Sequence, residues 1–313
     1  MDLKQLETFV HVAEMGSFTR AAAYLQLAQP ALSRQVRALE VEMRQTLLQR
    51  NGRGVTLTEG GKRLLAHARG ILQQVQRARD DLEDQRGAAT GRLAIALPPS
   101  VSRTLTGPLV RAFRAELPRA SLCIVEGLSA YALEWLVIGR VDAAVVYNVA
   151  PSPAIELQPL LDEPLYLVSA CTAGAERIGA ALSLSELAEQ ALVIPSRPHS
   201  MRMLLEAALA AEGRRARVAL EIESVPAILD LVQQGGCHAL LTENAIRGSG
   251  QPEAFALRPL APPLVATLWL ATSAQRPRGP LLERGAEIVQ ALLRPSQARV
   301  APQVQTGPAG APA

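Results

Sequence analysis

Between Gln29 and Arg53 the sequence sets out side chains suited to meeting a nucleic acid. Gln29, Ser33, Arg34 and Arg37 lie in one run, QPALSRQVRALEVE, and Arg50 and Arg53 flank the tip of an Asn51-Gly52 turn. Glutamine and arginine match the donor and acceptor pattern of base edges in a major groove, and guanidinium groups pair with phosphates. If the run is helical, Ala31, Leu32, Val36 and Leu39 form an inward stripe. Gln29, Ser33, Arg34 and Arg37 then share the outer face, and Pro30 is tolerated in the first turn, whose amides favour phosphate. Taken singly, each arginine has the ordinary reading of a solvated surface residue. Their joint placement on one helix and the adjoining hairpin favours DNA.

These residues need a scaffold. Leu3, Leu6, Phe9 and Val10 give a first helix one buried stripe, and Gly16 breaks it. Ser17 can cap a second helix, FTRAAAYL, whose Ala21 and Ala22 permit close contact. Leu25, Leu27, Leu39 and Leu47 are assigned to the core. In RNGRGVTLT the Asn-Gly pair and the alternating Val55 and Leu57 predict a small hairpin, a wing beside a helix-turn-helix. A long helix follows over 58–86. Its Leu64, Ala68, Ile71, Val75, Ala78 and Leu82 keep a heptad spacing, the seam of a dimerising linker helix. A helix lying along its own domain would show a stripe as well. Two-fold pairing would present two reading helices to a split site.

Charge follows the same division. The 313 residues hold 32 basic and 29 acidic groups, a net +3 that says little alone. Residues 20–69 hold nine basic side chains and three acidic ones, whereas basic and acidic groups balance from residue 91 onward. A compact basic module on a neutral body is the layout expected when one part meets phosphates. With 49% hydrophobic residues and no apolar run of membrane-spanning length, a fibrous or membrane protein is excluded. Three scattered cysteines exclude a disulfide framework, and Glu7 and Glu14 interrupt any signal-peptide core, so a cytoplasmic protein is expected.

The run GSFTRAAAYLQLAQPALSRQVRALEVEMRQTLLQRNGRGVTLTEGGKRLL resembles the winged helix-turn-helix of the LysR-type transcriptional regulators. The matching elements are GSFTRAA at 16–22, QPALSRQV at 29–36, Leu39-Glu40, Arg50, Leu57-Thr58 and Gly61. The resemblance implies an all-α winged helix-turn-helix over 1–58 and a linker helix over 59–90. It puts Gln29, Pro30, Ser33, Arg34 and Arg37 on the recognition helix and Arg50 and Arg53 on the wing. Three positions depart from the family pattern: Ala28 for a capping Ser, Arg44 for Gly and Leu48 for Phe.

From 92 to about 293 short apolar strands alternate with helices of 10–13 residues, which predicts parallel α/β structure as one domain or two joined lobes. Strands are read at 93–97, 122–126, 141–147, 165–169, 192–194, 218–222, 238–242 and 265–271. Ligands in such folds bind where strand C-termini meet helix N-termini. This part resembles the family's effector-binding domain, built like a periplasmic binding protein. The resemblance implies lobe I at 92–163 and 268–293 and lobe II at 168–263, with crossings near Pro164 and Ala266. LVIPSRPHSMRMLLE at 192–206 resembles the branch containing nitrogen-assimilation control regulators. By position the cleft candidates are Ser100, Ser102, Asn148, Ser196, Arg197 and Thr242, a largely hydroxyl set with one guanidinium, suited to a small anion. A helix cap is the plain alternative for Ser100 or Ser102, and a structural ion pair for Arg197. Residues 294–313 are read as a disordered tail.

No nucleophile elbow, Walker loop or metal-ligand spacing appears, so no catalytic or metal residue and no cofactor is assigned. The expected partners, by resemblance, are promoter DNA, a small effector, further copies of the chain (a dimer or a dimer of dimers) and RNA polymerase. A solute-binding protein and a metabolic enzyme with an accessory basic domain are the competing readings. The first leaves the basic head unexplained, and the second requires turnover by the C-terminal part.

Overall fold

The computed structural model describes residues 1–51, 54–83, 90–171 and 177–294. The N-terminal head consists of α1 (Leu3–Met15), α2 (Phe18–Leu25), α3 (Gln29–Met43) and a hairpin of β1 (Leu48–Asn51) and β2 (Gly54–Leu57). Local chemistry sets most boundaries. Asp2 and Gln5 form a capping box at α1, Gly16 ends that helix at φ 60°, and Ser17 caps α2 through the Arg20 amide. Two helix ends carry strain: Gln26 and Arg44 adopt left-handed φ of 54° and 53°, where side chains other than glycine meet a steric penalty. Ala28 starts α3 without a side-chain cap.

Leu6, Phe9, Val12, Leu32, Val36, Leu39 and Leu47 pack as the core of the head. Leu27, assigned to that core from sequence, is instead 47% exposed. It follows the left-handed Gln26 in the inter-helix turn, where no helical period sets its direction. Leu48, in the place of the family's usual Phe, stays buried.

The linker helix α4 (Glu59–Glu83) begins on Thr58, whose hydroxyl accepts from the Gly61 amide and donates to the Thr46 carbonyl. Its seam divides. Leu64, Leu65, Ala68 and Leu72 pack on the helix's own head. Ile71 and Ala78 are exposed and Val75 is half-buried, leaving the distal turns open. The side chain of Leu82, like Arg53 and residues 295–313, lies outside the described residues.

The remaining chain builds two lobes from β3 (Gly91–Leu97), α5 (Pro99–Glu116), β4 (Ala120–Glu126), α6 (Ser129–Val137), β5 (Ala143–Tyr147), β6 (Ile155–Ala170), α7 (Leu184–Ala188), β7 (Leu192–Ile194), α8 (Ser200–Ala211), β8 (Val218–Glu221), α9 (Val225–Gln234), β9 (His238–Thr242), α10 (Glu243–Arg247), β10 (Phe255–Pro259), β11 (Val265–Ser273) and α11 (Pro280–Leu293). Strand order runs β4-β3-β5-β11-β6-β9-β7-β8, with β10 also on β6. The long β6 belongs to both lobes: Ile155–Pro164 pairs with β11, and Leu165–Ala170 pairs with β9 and β10.

The sheet is mixed rather than parallel, which corrects the sequence expectation. β3 runs parallel to β4 and β5, and β7 parallel to β8 and β9. β6, β10 and β11 pair antiparallel. A chain that leaves one lobe and returns to it needs two oppositely directed crossing segments, and β6 and β11 supply them. Asp142, buried at the entry to β5, accepts from the Ala94 amide at 2.7 Å and ties β5 to β3. Among the described residues no helix is long and apolar enough to cross a membrane.

Candidate nucleic-acid interface and ligand cavity

The inward stripe of α3 leaves Gln29, Pro30, Ser33, Arg34, Arg37, Ala38 and Val41 along one open face. Arg34 is exposed and makes no hydrogen bond or ion pair among the described residues. Arg37, 76% exposed, stands 4.0 Å from Glu40, a separation worth little in water. Glu40 serves the backbone instead. One of its carboxylate oxygens accepts the amides of Leu47 at 2.8 Å and Leu48 at 3.2 Å, fixing how the chain leaves α3 for the hairpin. Arg50 reaches back from β1, donates to the Ser33 hydroxyl at 2.8 Å and lies 4.4 Å over the Phe18 ring. It therefore binds the wing to α2 and α3 while its charge stays at the surface. The uncapped start of α3 adds the positive end of its helix dipole to this face.

In the C-terminal part a cavity lies between the lobes. The N-terminal ends of five helices line it: Pro99 and Ser100 of α5, Ser129 of α6, Ser200 and Met201 of α8, Val225 of α9 and Ala245 of α10. Tyr147 ends β5 in the same wall, and Thr242 ends β9. His199 caps α8, its Nδ1 accepting from the Met201 amide, and burial lowers the imidazole pKa so that the neutral ring faces the cavity. The free volume is about 40 Å³. At roughly 10–15 Å³ per water this holds about three or four waters, so the lobes stand nearly closed.

Behind the cavity sits a buried polar chain. The Tyr147 hydroxyl donates to Glu163 Oε2 at 2.5 Å, and the Ser100 and Thr242 hydroxyls bond to the same phenol. Burial raises the Tyr147 pKa strongly, and the Glu163 charge adds to that shift. Burial also raises the Glu163 carboxyl, against the lowering effects of the Tyr147 hydroxyl, Arg247 and the Asn244 amide. Asn244 joins the lobes: its Oδ1 accepts from the Thr104 hydroxyl at 2.9 Å, and its Nδ2 donates to the Ser100 carbonyl at 3.5 Å. On the far side of Glu163 a hollow of about 490 Å³ opens between α5, α10 and α11.

Of the six cleft candidates, Ser100 and Thr242 line the cavity. Ser102 lies one turn into α5 with its hydroxyl 3.3 Å from that of Thr106. Asn148 holds β11 through the Thr267 amide and carbonyl, both at 2.9 Å. Ser196 donates to Glu223 at 2.9 Å, and Arg197 pairs with Glu206 at 2.7 Å on the lobe II surface. Sequence reasoning missed Ser129, Tyr147, His199 and Glu163. Tyr147 carried a usable signal, a lone aromatic hydroxyl at the C-terminal end of an apolar strand. Glu163 carried none, because its partners come from distant segments.

Comparison with known proteins places these features in a family. The profile described as "Bacterial regulatory helix-turn-helix protein, lysR family" matches residues 3–62, and the "LysR substrate binding domain" profile matches residues 86–294. The chain is similar to the nitrogen assimilation regulatory protein nac of Klebsiella aerogenes, 35% identical over 299 residues, covering 95% of this chain and 97% of that protein. It is 35% identical to the nac protein of Escherichia coli (strain K12) over 79% of this chain and 80% of that one. Among solved structures, full-length CbnR complexed with its target DNA superposes with a TM-score of 0.68 at 24% identity, covering 93% of this chain and all of that one.

Proposed function

The chain belongs to the LysR family of bacterial transcription regulators, DNA-binding proteins with a ligand-binding effector domain, and from that premise we propose which residues read DNA and what kind of molecule the cavity senses. Gln29, Pro30, Ser33, Arg34 and Arg37 enter the major groove on α3, and Arg50 and Arg53 meet the backbone beside it. The open face of α3 carries this reading, with Arg34 uncommitted to any protein partner among the described residues. Two copies join through the distal turns of α4, where Ile71, Val75 and Ala78 remain available. The nac proteins among its relatives favour target genes in nitrogen assimilation.

The effector is a small anion with an apolar part. Five helix N-termini line the cavity together with Ser100, Ser129, Ser200 and Thr242, and its lining holds neither an acidic nor a strongly basic side chain. With room for only a few waters, the closed cavity admits such a molecule when the lobes part at the Thr104–Asn244 contact. Opening and closing then changes how the effector part bears on the linker, and DNA and effector must influence each other reciprocally.

Fluorescence anisotropy with a duplex from the gene's own upstream region tests the reading face. Arg34→Ala is expected to weaken binding by about 1–3 kcal/mol if it contacts a base edge. If it contacts a phosphate, the salt slope falls by about 0.9. Wild-type affinity and slope in both Arg34→Ala and Arg37→Ala would show that α3 does not read DNA.

A further inference from the structure

We propose that α6 is a rigid rod coupling the effector cavity to the linker helix, with Gly70 of α4 as the socket for its far end. The inference rests on the reading of the cavity as effector site and of α3 as DNA face, and it supplies a physical connection between them.

The near end of α6 is built into the cavity wall. Ser129 lines the cavity, is itself buried, and its Oγ accepts the Tyr147 amide at 2.9 Å. Nine residues later, about 13 Å along the axis, the helix runs out at Ile138. That end is held stiffly. Arg140 donates its amide to the Trp135 carbonyl and lies 4.4 Å over the Trp135 ring, and the Arg276 guanidinium donates to the Leu136 carbonyl. The inner side of the rod, Ala132 and Leu136, is fully buried in the core that holds β3 and β5.

Its tip presses on the linker. A Cβ placed on Gly70 would stand 2.0 Å from the Ile138 carbonyl oxygen, so the two backbones meet where only glycine leaves room. Gln74, one turn further along the same face of α4, reaches Gly139, where an added Cβ would be 3.1 Å from Nε2. A glycine inside a helix is unfavourable relative to alanine, and here it permits this approach. On the head side, Arg69 pairs with Glu14 of α1 at 2.7 Å. The linker is thus held between α1 and the tip of α6. Packed interiors do not compress, so displacement of Ser129 must move Gly70 or break the contact.

Because coupling is reciprocal, DNA can serve as the probe while the effector is unidentified. Hydrogen–deuterium exchange would be measured on the full chain, with and without the upstream duplex. In wild type, DNA is expected to change exchange across residues 128–137 by threefold or more. In Gly70→Val, with the duplex still bound, that change is expected to vanish. Gln74→Ala inserts no bulk and guards against misfolding of the first variant; it is expected to lose at least half of the response. A response equal to that of wild type in both variants, or a wild type that binds the duplex with no change at 128–137, overturns the rod. Failure of wild type to bind the duplex instead removes the DNA reading and the rod with it.

Discussion

Replacing Tyr147 with Phe should destabilise the protein in a way that grows with pH. The hydroxyl removed lies 2.5 Å from Glu163 Oε2, in a wall where Tyr147 is 3% and Glu163 7% exposed. A hydrogen bond to a charged group contributes about 1.5–3 kcal/mol, and a buried acceptor left unmatched costs a similar amount. The groups still facing Glu163 are the Asn244 amide and the charges of Arg247 and Glu243, all on the side of α10. Burial already holds the folded pKa of Glu163 above its ordinary 4.5. A raised folded pKa gives stability that is fully present below the unfolded value and lost as pH rises through the folded one. The Tyr147 hydroxyl opposes that rise, so its removal lifts the folded pKa further and deepens the loss. The expected cost is about 1 kcal/mol at pH 4, where Glu163 is protonated, and about 3 kcal/mol at pH 8. Both tryptophans, Trp135 and Trp269, pack in lobe I, so urea unfolding followed by tryptophan fluorescence reports on this part of the chain. Glu163→Gln should flatten the pH dependence and make the loss in the double variant the same at both pH values. Equal losses for Tyr147→Phe at pH 4 and pH 8 would refute the coupling of phenol and carboxyl.

Ala28→Ser should stabilise the head by about 1 kcal/mol, because the missing cap of α3 is restored; no rise in the denaturant midpoint would mean another group already serves those amides. Arg44→Gly removes a left-handed penalty of about 1–2 kcal/mol, offset in part by glycine's freedom in the unfolded chain. A net gain of about 0.5–1 kcal/mol is expected in urea titrations, and a loss of stability would show that the Arg44 side chain stabilises the head. Asp142→Ala should cost about 2–3 kcal/mol by leaving the buried Ala94 amide unpaired, measured at the same tryptophans; a change below about 0.5 kcal/mol would contradict that role.

The head was legible because its determinants are local. A Ser before FTRAAAYL, a hairpin that pairs Asn51 with Gly54 and a helical stripe at Leu32, Val36 and Leu39 each act within a few residues, and the family resemblance runs through the same segment. The split of charge along the chain is likewise a property of sequence alone. Leu27 misled because apolar character predicts burial only where a regular element fixes direction, and it sits after a left-handed turn. The first half of β6 reads IELQPLLDEP, whose prolines and charges mask a strand held by pairing with β11 more than 100 residues away. For the same reason the mixed sheet and the α7, α10 and β10 elements escaped the pattern of alternation. Ser100 and Thr242, placed by the rule that ligands meet strand and helix ends, reach the cavity wall. That rule could not separate them from Ser196 and Arg197, which are paired with Glu223 and Glu206 instead. Sequence by itself determined the reading head, because caps, turns and periodic stripes depend on short-range sterics and hydrogen bonding. The Tyr147–Glu163 chain, the Thr104–Asn244 latch and the meeting of Ile138 with Gly70 were decided only by tertiary structure, since burial and desolvation are set by whichever distant segments close around a group.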